Sequence, residues 1–420
     1  MTPVLHLTWK SVLNRRLTVG LTVLSVALSV ALLLGVERLR NEARTAFAQT
    51  ISGTDLVVGA RSGPIQLLLY AVFHIGNATN NVSWKSYEAV RANPLVAWTV
   101  PISLGDSHRG YRVVGTDAGF FEHVRYGEGR PVQFASGRSF EGVFEAVVGA
   151  EVARALGYAA GETIVLAHGA GEVSFAQHAD KPFKVVGILA RTGTPIDRSV
   201  LVSLGAIEAL HLDWQGGAPV PGLAIPPEYV AKFDLSPKAI TAALVGLKSR
   251  AAVFQVQRSV NEYRGEPLLA ILPGATLQEL WGLIGVAEQA LLAVSALVVL
   301  VGLAGLVAVI VASLGERRRE LAILRSLGAG PWDVFLLLAA ESLVLTLVGC
   351  GLGLALLYGA GALLASPLES RFGLGFALTA PSPREWGLLG AVVAAGLLAS
   401  VVPGLRAYRM SLADGMTIKV

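Results

Sequence analysis

Of 420 residues, 53% are hydrophobic and only 15% charged, a balance that excludes a string of soluble domains and points to an integral membrane protein. The formal net charge of +4 would suit a polyanion partner, yet the cations are clustered: Lys10, Arg15 and Arg16 precede the first apolar run, Arg317, Arg318, Arg319 and Arg325 separate two others, and Arg406, Arg409 and Lys419 lie near the end. In short segments beside apolar runs they read as the positive-inside signal of a cytoplasmic face, not as a nucleic-acid site. The single cysteine, Cys350, falls within an apolar run, so no disulfide can form within the chain.

In chain order, residues 1–16 read as a cytoplasmic amphipathic segment, and 17–36 as a first span, entered from a basic flank and without a small-residue cleavage site that would mark a signal peptide. From 37 to 282 the pattern changes to short strand-like and helix-like runs broken by Gly, Pro, Asn and Asp, which predicts a large extracytoplasmic α+β domain between spans one and two. Strands are predicted at Tyr111–Val114, Ala146–Gly149, Thr163–Ala167, Phe183–Leu189 and Val200–Val202, and helices at Trp84–Ala92, Glu151–Leu156 and Leu204–Leu210. Turn formers near 216–227 predict either a boundary between two subdomains or a long insertion. Ile65–Ile75, apolar but too short to span, reads as a helix buried in the domain core or as an exposed element that touches apolar cargo, the core reading being preferred. The Asn77 and Asn81 sequons are treated as turn residues.

The second span covers 283–314, and its helical pattern runs back to Thr276 as an outer stalk that places Glu288 at the interface. A third span covers 333–364, an outer loop 365–384, a fourth span 385–405 and a cytoplasmic tail 406–420. The fold class is therefore a four-span α-helical membrane protein with a large α+β domain, both termini cytoplasmic. In the third span Gly349 and Gly353 have the small-xxx-small spacing that lets helices approach closely in lipid. Glu341 is an intramembrane carboxylate, read as an interhelix hydrogen bond or salt link in preference to a proton or cargo role.

The segment that organises the chain joins spans two and three. Leu321, Leu324 and Gly328 recur at helical spacing, Arg318 and Arg325 fall on another face, Gly328 can end the helix and Pro331 can begin the next. Glu316-Arg317-Arg318-Arg319-Glu320-Leu321-Ala322-Ile323-Leu324-Arg325-Ser326-Leu327-Gly328-Ala329 resembles the cytoplasmic signature of the MacB/FtsX/LolE group of ABC transporter permeases. The resemblance extends to Val402-Pro403-Gly404-Leu405-Arg406-Ala407-Tyr408-Arg409 near the C-terminus and, in the outer domain, to Val148–Gly157 and Phe183–Leu189, which are similar to the MacB-like periplasmic core. It implies that Glu316, Arg317, Arg318, Arg319, Glu320, Leu321, Leu324, Arg325 and Gly328 form an ATPase-coupling helix.

The same resemblance implies a bacterial inner-membrane location with the large domain periplasmic. Its implied partners are an ABC-type ATPase dimer, a second permease chain as homo- or heterodimer, a periplasmic carrier, adaptor or outer-membrane channel, and membrane lipids. The implied function is mechanotransmission from a separate ATPase to the periplasmic domain, for export or extraction of a lipoprotein, peptide, drug or other cargo. The alternative is an FtsX-like scaffold that transports nothing and activates a cell-wall hydrolase.

Chemistry of its own is absent from the sequence: there is no Gly-x-x-x-x-Gly-Lys-Ser/Thr phosphate loop, no His-Glu-x-x-His and no Gly-x-Ser-x-Gly. No catalytic residue, cofactor or metal ligand is therefore assigned, ATP and Mg being expected on the partner. His74, His108, His123, His168, His178 and His211 all fall in the outer domain at spacings that match no compact ligand motif, and read as scattered structural histidines unless the fold gathers them.

Overall fold

The computed structural model describes residues 16–50, 52–169, 176–215, 218–220, 225–316, 323–372 and 379–409. They divide into two compact units: a helical one, containing the first helix to Glu42, Gly285–Pro367 and the stretch from Phe376, and a sheet domain, Ala43–Ile284 with Leu368–Gly375. The main helices are α1 (Arg16–Thr50), α2 (Pro64–Phe73), α3 (Trp84–Arg91), α4 (Ala150–Leu156), α5 (Leu204–Leu210), α6 (Val253–Asn261), α7 (Pro273–Glu316), α8 (Pro331–Phe372), α9 (Pro383–Ala399) and α10 (Val401–Arg409). The strands of the main sheet are β1 (Leu56–Ala60), β2 (Val96–His108), β3 (Tyr111–Thr116), β4 (Phe134–Gly137), β5 (Glu145–Val148), β6 (Thr163–Ile164), β7 (Ala167–His168), β8 (Ala176–Gln177), β9 (Phe183–Leu189), β10 (Ser199–Ser203), β11 (Ala242–Leu247) and β12 (Leu268–Ile271).

These twelve strands run in the order β12-β1-β11-β2-β3-β10-β5-β9-β4, with β7 pairing β2 and β8, and β6 pairing β9. The thirteen-residue β2 joins the two halves: Val96–Ile102 pairs with β11, and Ser103–His108 with β3. The chain crosses from the β10 half to the β11 half through α5, a small hairpin of Trp214–Gln215 with Ala218–Pro219, and the 225–241 stretch. Residues 216, 217 and 221–224 of the expected boundary lie outside the described residues. One cluster, around Leu56, Val58, Tyr87, Val245 and Leu268, packs the β11 half, another, around Val113, Val148, Phe183, Val202 and Leu210, packs the β10 half. A third, with Val57, Leu67, Val100, Val147 and Leu201, draws on both.

The apolar Ile65–Ile75 segment forms α2, which buries Leu67, Leu68, Tyr70, Ala71 and Phe73 in that shared cluster. This is the core reading, not an exposed cargo surface. His74 closes the helix in the left-handed conformation, and Ile75 N–H donates to Leu69 O at 3.0 Å. The α3 and α5 helices begin where Ser83 and Ser203 accept hydrogen bonds from Ser86 N–H and Ala206 N–H. The first turns of α7 also belong to the sheet domain, with Leu277 and Leu280 in its core.

Among the described residues, four helical stretches are long and apolar enough to cross a membrane: Arg16–Thr50, Pro273–Leu314, Pro331–Leu364 and Pro383–Ala407. The third differs from expectation, since α8 runs five residues past Pro367 where an outer loop is predicted from 365. A long helix survives the one hydrogen bond that a proline removes. The fourth is broken at Ser400, between α9 and α10, so 385–405 is not one uninterrupted helix.

Candidate functional site

The organising segment begins where α7 ends at Glu316. Arg317, Arg318, Arg319, Glu320 and Leu321 lie outside the described residues, as does Ala322. A helical turn over 323–326 follows, and a Schellman cap ends it: Ala329 N–H donates to Leu324 O and Gly328 N–H to Arg325 O, both at 3.1 Å, with Gly328 at φ 101°. Only a residue free of a Cβ takes that conformation without strain. The next helix starts at once. Asp333 at its third position accepts from Gly330 N–H at 2.7 Å, and Pro331 occupies the first position, where a missing N–H costs nothing.

Which side chains this turn offers differs from the sequence-based reading. Leu324 packs against the apolar cluster of the helical unit, whereas Ile323 is 52% and Leu327 80% exposed. Sequence spacing alone does not say which of two adjacent leucine-bearing faces the bundle claims. Arg325 is half-buried. Ile323 and Leu327 are thus the exposed apolar side chains of this turn, and Leu324 is partly covered by the bundle.

Gly349 and Gly353 lie where α8 crosses α1. A Cβ on Gly349 meets Val26 Cγ1 at 2.6 Å, and one on Gly353 meets Ala27 O at 2.7 Å and Val30 Cβ at 2.9 Å, so backbone packs on side chain with no room for a methyl. Glu341 is buried in the same helix; beside it Ser342 Oγ–H donates to Gly396 O at 2.9 Å, joining α8 to α9.

A further group gathers around Arg38, and of its members the sequence reading singles out Glu288 alone. Arg38, buried near the far end of α1, pairs with Glu385 through Nε at 3.2 Å, donates from Nη2 to Thr379 O at 2.8 Å and lays its guanidinium 5.0 Å from the Tyr358 ring centre. Beside it Glu37 pairs with Arg384 at 3.0 Å and Arg40 at 3.5 Å, and Arg40 reaches Glu288 at 3.6 Å. The clasp thus ties α1, α7, α8 and the start of α9. Its Glu385 also caps α9, Oε2 accepting from Ser382 N–H at 2.6 Å. The Ser-x-x-Glu spacing of Ser382 and Glu385 is a capping-box pattern that could have marked the start of α9, but it says nothing of Arg38.

Spanning-length helices with a folded sheet domain define a multi-pass membrane protein with a large extracytoplasmic domain. Residues 19–263 match the MacB-like periplasmic core domain and residues 292–412 the FtsX-like permease C-terminal region, so the chain belongs to the MacB/FtsX-type ABC permeases. Members of this family work with ABC ATPase partners and are generally non-catalytic. Among solved structures, the periplasmic region of MacB from Actinobacillus actinomycetemcomitans is 10% identical, with TM-score 0.34, and the match covers 56% of this chain and 97% of that one. The extracellular domain of the noncanonic ABC-type transporter YknZ from Gram-positive bacteria is also 10% identical, with TM-score 0.29, covering 52% and 99%. Comparison with curated proteins gives no match.

Proposed function

We propose that this chain transmits the ATP-driven motion of a separate ATPase subunit to its extracytoplasmic domain, for export or extraction of a lipoprotein, peptide, drug or other cargo. The ATPase docks on the turn around Ile323 and Leu327, which faces the cytoplasm with both termini, and two permease chains pair. The observation that carries the reading is the pair of family matches, one on each side of residue 280, together with a single helix, α7, that leads from the sheet-domain core to this turn. At 44 residues, α7 is about 66 Å long at 1.5 Å per residue, roughly twice a hydrocarbon core.

Copurification of the ATPase from membranes holding equal amounts of each variant tests this. Leu327→Asp places a charge in an apolar contact, where an unpaired buried charge costs several kcal/mol, and is expected to lose at least nine-tenths of the bound ATPase. Ser326→Ala, which removes a hydroxyl that donates to Ile323 O of its own turn, keeps it. Full ATPase recovery with Leu327→Asp places docking elsewhere. A cell-wall hydrolase copurifying with an otherwise idle transporter favours the signalling scaffold instead.

A further inference from the structure

Three of the histidines scattered through the sequence come together in the sheet domain. The β7–β2 register sets His168 opposite Asp106, and His211 caps α5 so that its ring reaches the same point. His168 Nδ1 stands 3.1 Å from Asp106 Oδ1 and 3.2 Å from His211 Nε2, and His211 Nε2 stands 3.9 Å from Asp106 Oδ1. His178, one residue beyond β8, completes the set: one donor atom from each of Asp106, His168, His178 and His211 lies within 4.8 Å of every other. Trp214 walls the group, its ring 4.9 to 5.3 Å from the three imidazoles.

A second observation is independent of that spacing. His178 is 1% exposed, and its buried Nε2 has no hydrogen-bond partner among the described residues. A buried polar atom left unpaired costs about 1–3 kcal/mol, and native structures seldom keep one without a use for it. His211 is oriented as a metal-ligating ring is. His211 Nδ1 stands 2.8 Å from Ile207 O, and since a carbonyl only accepts, that nitrogen carries the proton and Nε2 presents a lone pair. The half-buried His168 and His211 leave an approach from solvent.

We propose that this Asp106–His168–His178–His211 cluster binds one divalent transition-metal ion of the zinc class. Three imidazoles and a carboxylate form the nitrogen–oxygen donor set that such ions take in four-coordinate sites. A tetrahedral ion at 2.0–2.1 Å holds its ligand atoms about 3.3 Å apart, and the observed 3.1, 3.2 and 3.9 Å bracket that edge. Calcium and magnesium are disfavoured by the imidazoles, and Cu(I) by the lack of thiolate or thioether: the chain's one cysteine, Cys350, lies in α8, and its three methionines are Met1, Met410 and Met416. Coordination through His168 Nδ1 needs that nitrogen free of a proton, so the N–H of the neutral ring moves to Nε2 and Asp106 Oδ1 turns from accepting it to binding the ion. The ion would fasten β2, β7, the turn at His178 and the end of α5 to one another. A buried ion pair, Lys181 Nζ to Asp213 Oδ1 at 2.6 Å, already braces the two segments that carry His178 and His211.

The test uses the full chain in detergent, stripped with a chelator and then titrated with Zn²⁺ against a chromogenic competitor, and separately with Co²⁺. Wild type is expected to take up one Zn²⁺ per chain, to give the intense visible absorption of tetrahedral Co²⁺, and to gain thermal stability on binding. His211→Ala is expected to weaken binding at least about 100-fold and Asp106→Asn about 10–100-fold, as loss of a ligand or of its carboxylate partner does elsewhere. His123→Ala, a domain histidine stacked on Trp98 away from the cluster, should bind as wild type. His178→Ala joins the series if its unliganded melting temperature matches wild type, and His211→Ala decides the matter if it does not. Failure of wild type to bind above the level of a His211→Ala/Asp106→Asn double variant overturns the proposal. Retention of wild-type affinity by both single variants does the same.

Discussion

In the sheet domain the buried ammonium of Lys181 finds its carboxylate 32 residues along the chain, in a segment that the strand order has already placed beside it. In the helical unit Arg38 reaches Thr379, 341 residues away, and takes Glu385 and Tyr358 from two other helices. The contrast follows from solvent. A sheet folding in water is ordered by its ladder and by burial of apolar area, so its polar groups are passengers of the register. Helices in lipid gain nothing from hiding leucine from leucine, so close backbone contacts at glycine and a few polar ties must position them.

The largest effect that would sharpen this contrast is expected at the clasp. Arg38→Ala leaves the Glu385 carboxylate buried without its guanidinium, and breaking a buried pair from one side costs about 3–5 kcal/mol. The melting temperature of the detergent-solubilised chain should fall accordingly. Arg38→Lys should restore only part of it, because one ammonium cannot reproduce the planar fork that serves Glu385, Thr379 O and the Tyr358 face together. Equal stability of Arg38→Ala and wild type would show that the helices do not depend on this tie.

Next in size is the α1–α8 crossing. Gly353→Ala puts a methyl within 2.7 Å of Ala27 O, and overpacking of this kind costs about 1–3 kcal/mol. Gly351→Ala, on the same helix with nothing within 4 Å of its Cβ, should be neutral or slightly stabilising, as alanine generally is over glycine in a helix. Thermal unfolding of the two variants separates packing from helix propensity, and equal values would remove the crossing from the account.

The smallest effect per unit change lies in the sheet domain and depends on pH. His74 is half-buried beside Ser199 Oγ at 3.0 Å, and desolvation, with the Arg112 charge adding to it, holds its imidazole down to about 4 against an ordinary 6.5. The unfolded chain therefore binds a proton that the folded domain refuses. Stability is full above about pH 6.5 and falls, by up to about 1.4 kcal/mol per pH unit, as pH drops from there toward 4. His178, also held near 4, acts in the same direction. His74→Asn, which tolerates the left-handed backbone at this position, should flatten the slope over that window when unfolding is followed by tryptophan fluorescence. An unchanged slope would mean that His74 is not the group refusing the proton.

What the sequence made legible follows the same division. β9 reads Phe183-Lys184-Val185-Val186-Gly187-Ile188-Leu189 with alternating burial, and the predicted strand has the same ends. β1, buried at all five positions, and β11, buried at five of six, have no alternation to detect; neither was anticipated, and nor were β2 and β12. The Gly328 stop was visible because a left-handed cap needs glycine. Which leucines stay outside was not, since that depends on the bundle packed behind them. Asp106 and His211 share no motif because strand register and a helix cap, not a local turn, bring them together. The charges of the clasp stand at the ends of apolar runs, where each alone looks like an ordinary interfacial residue.

The length of α7 carries a constraint on how such a chain can change over generations. Each residue added to or lost from a continuous helix turns everything beyond it by about 100° and shifts it by 1.5 Å. With no proline between Gly274 and Glu316 to absorb the twist, a one-residue indel there rephases one end against the other, whereas four residues return close to the starting azimuth. Length variation along this rod should therefore come in steps near whole turns, while the loops of the sheet domain are free to drift one residue at a time.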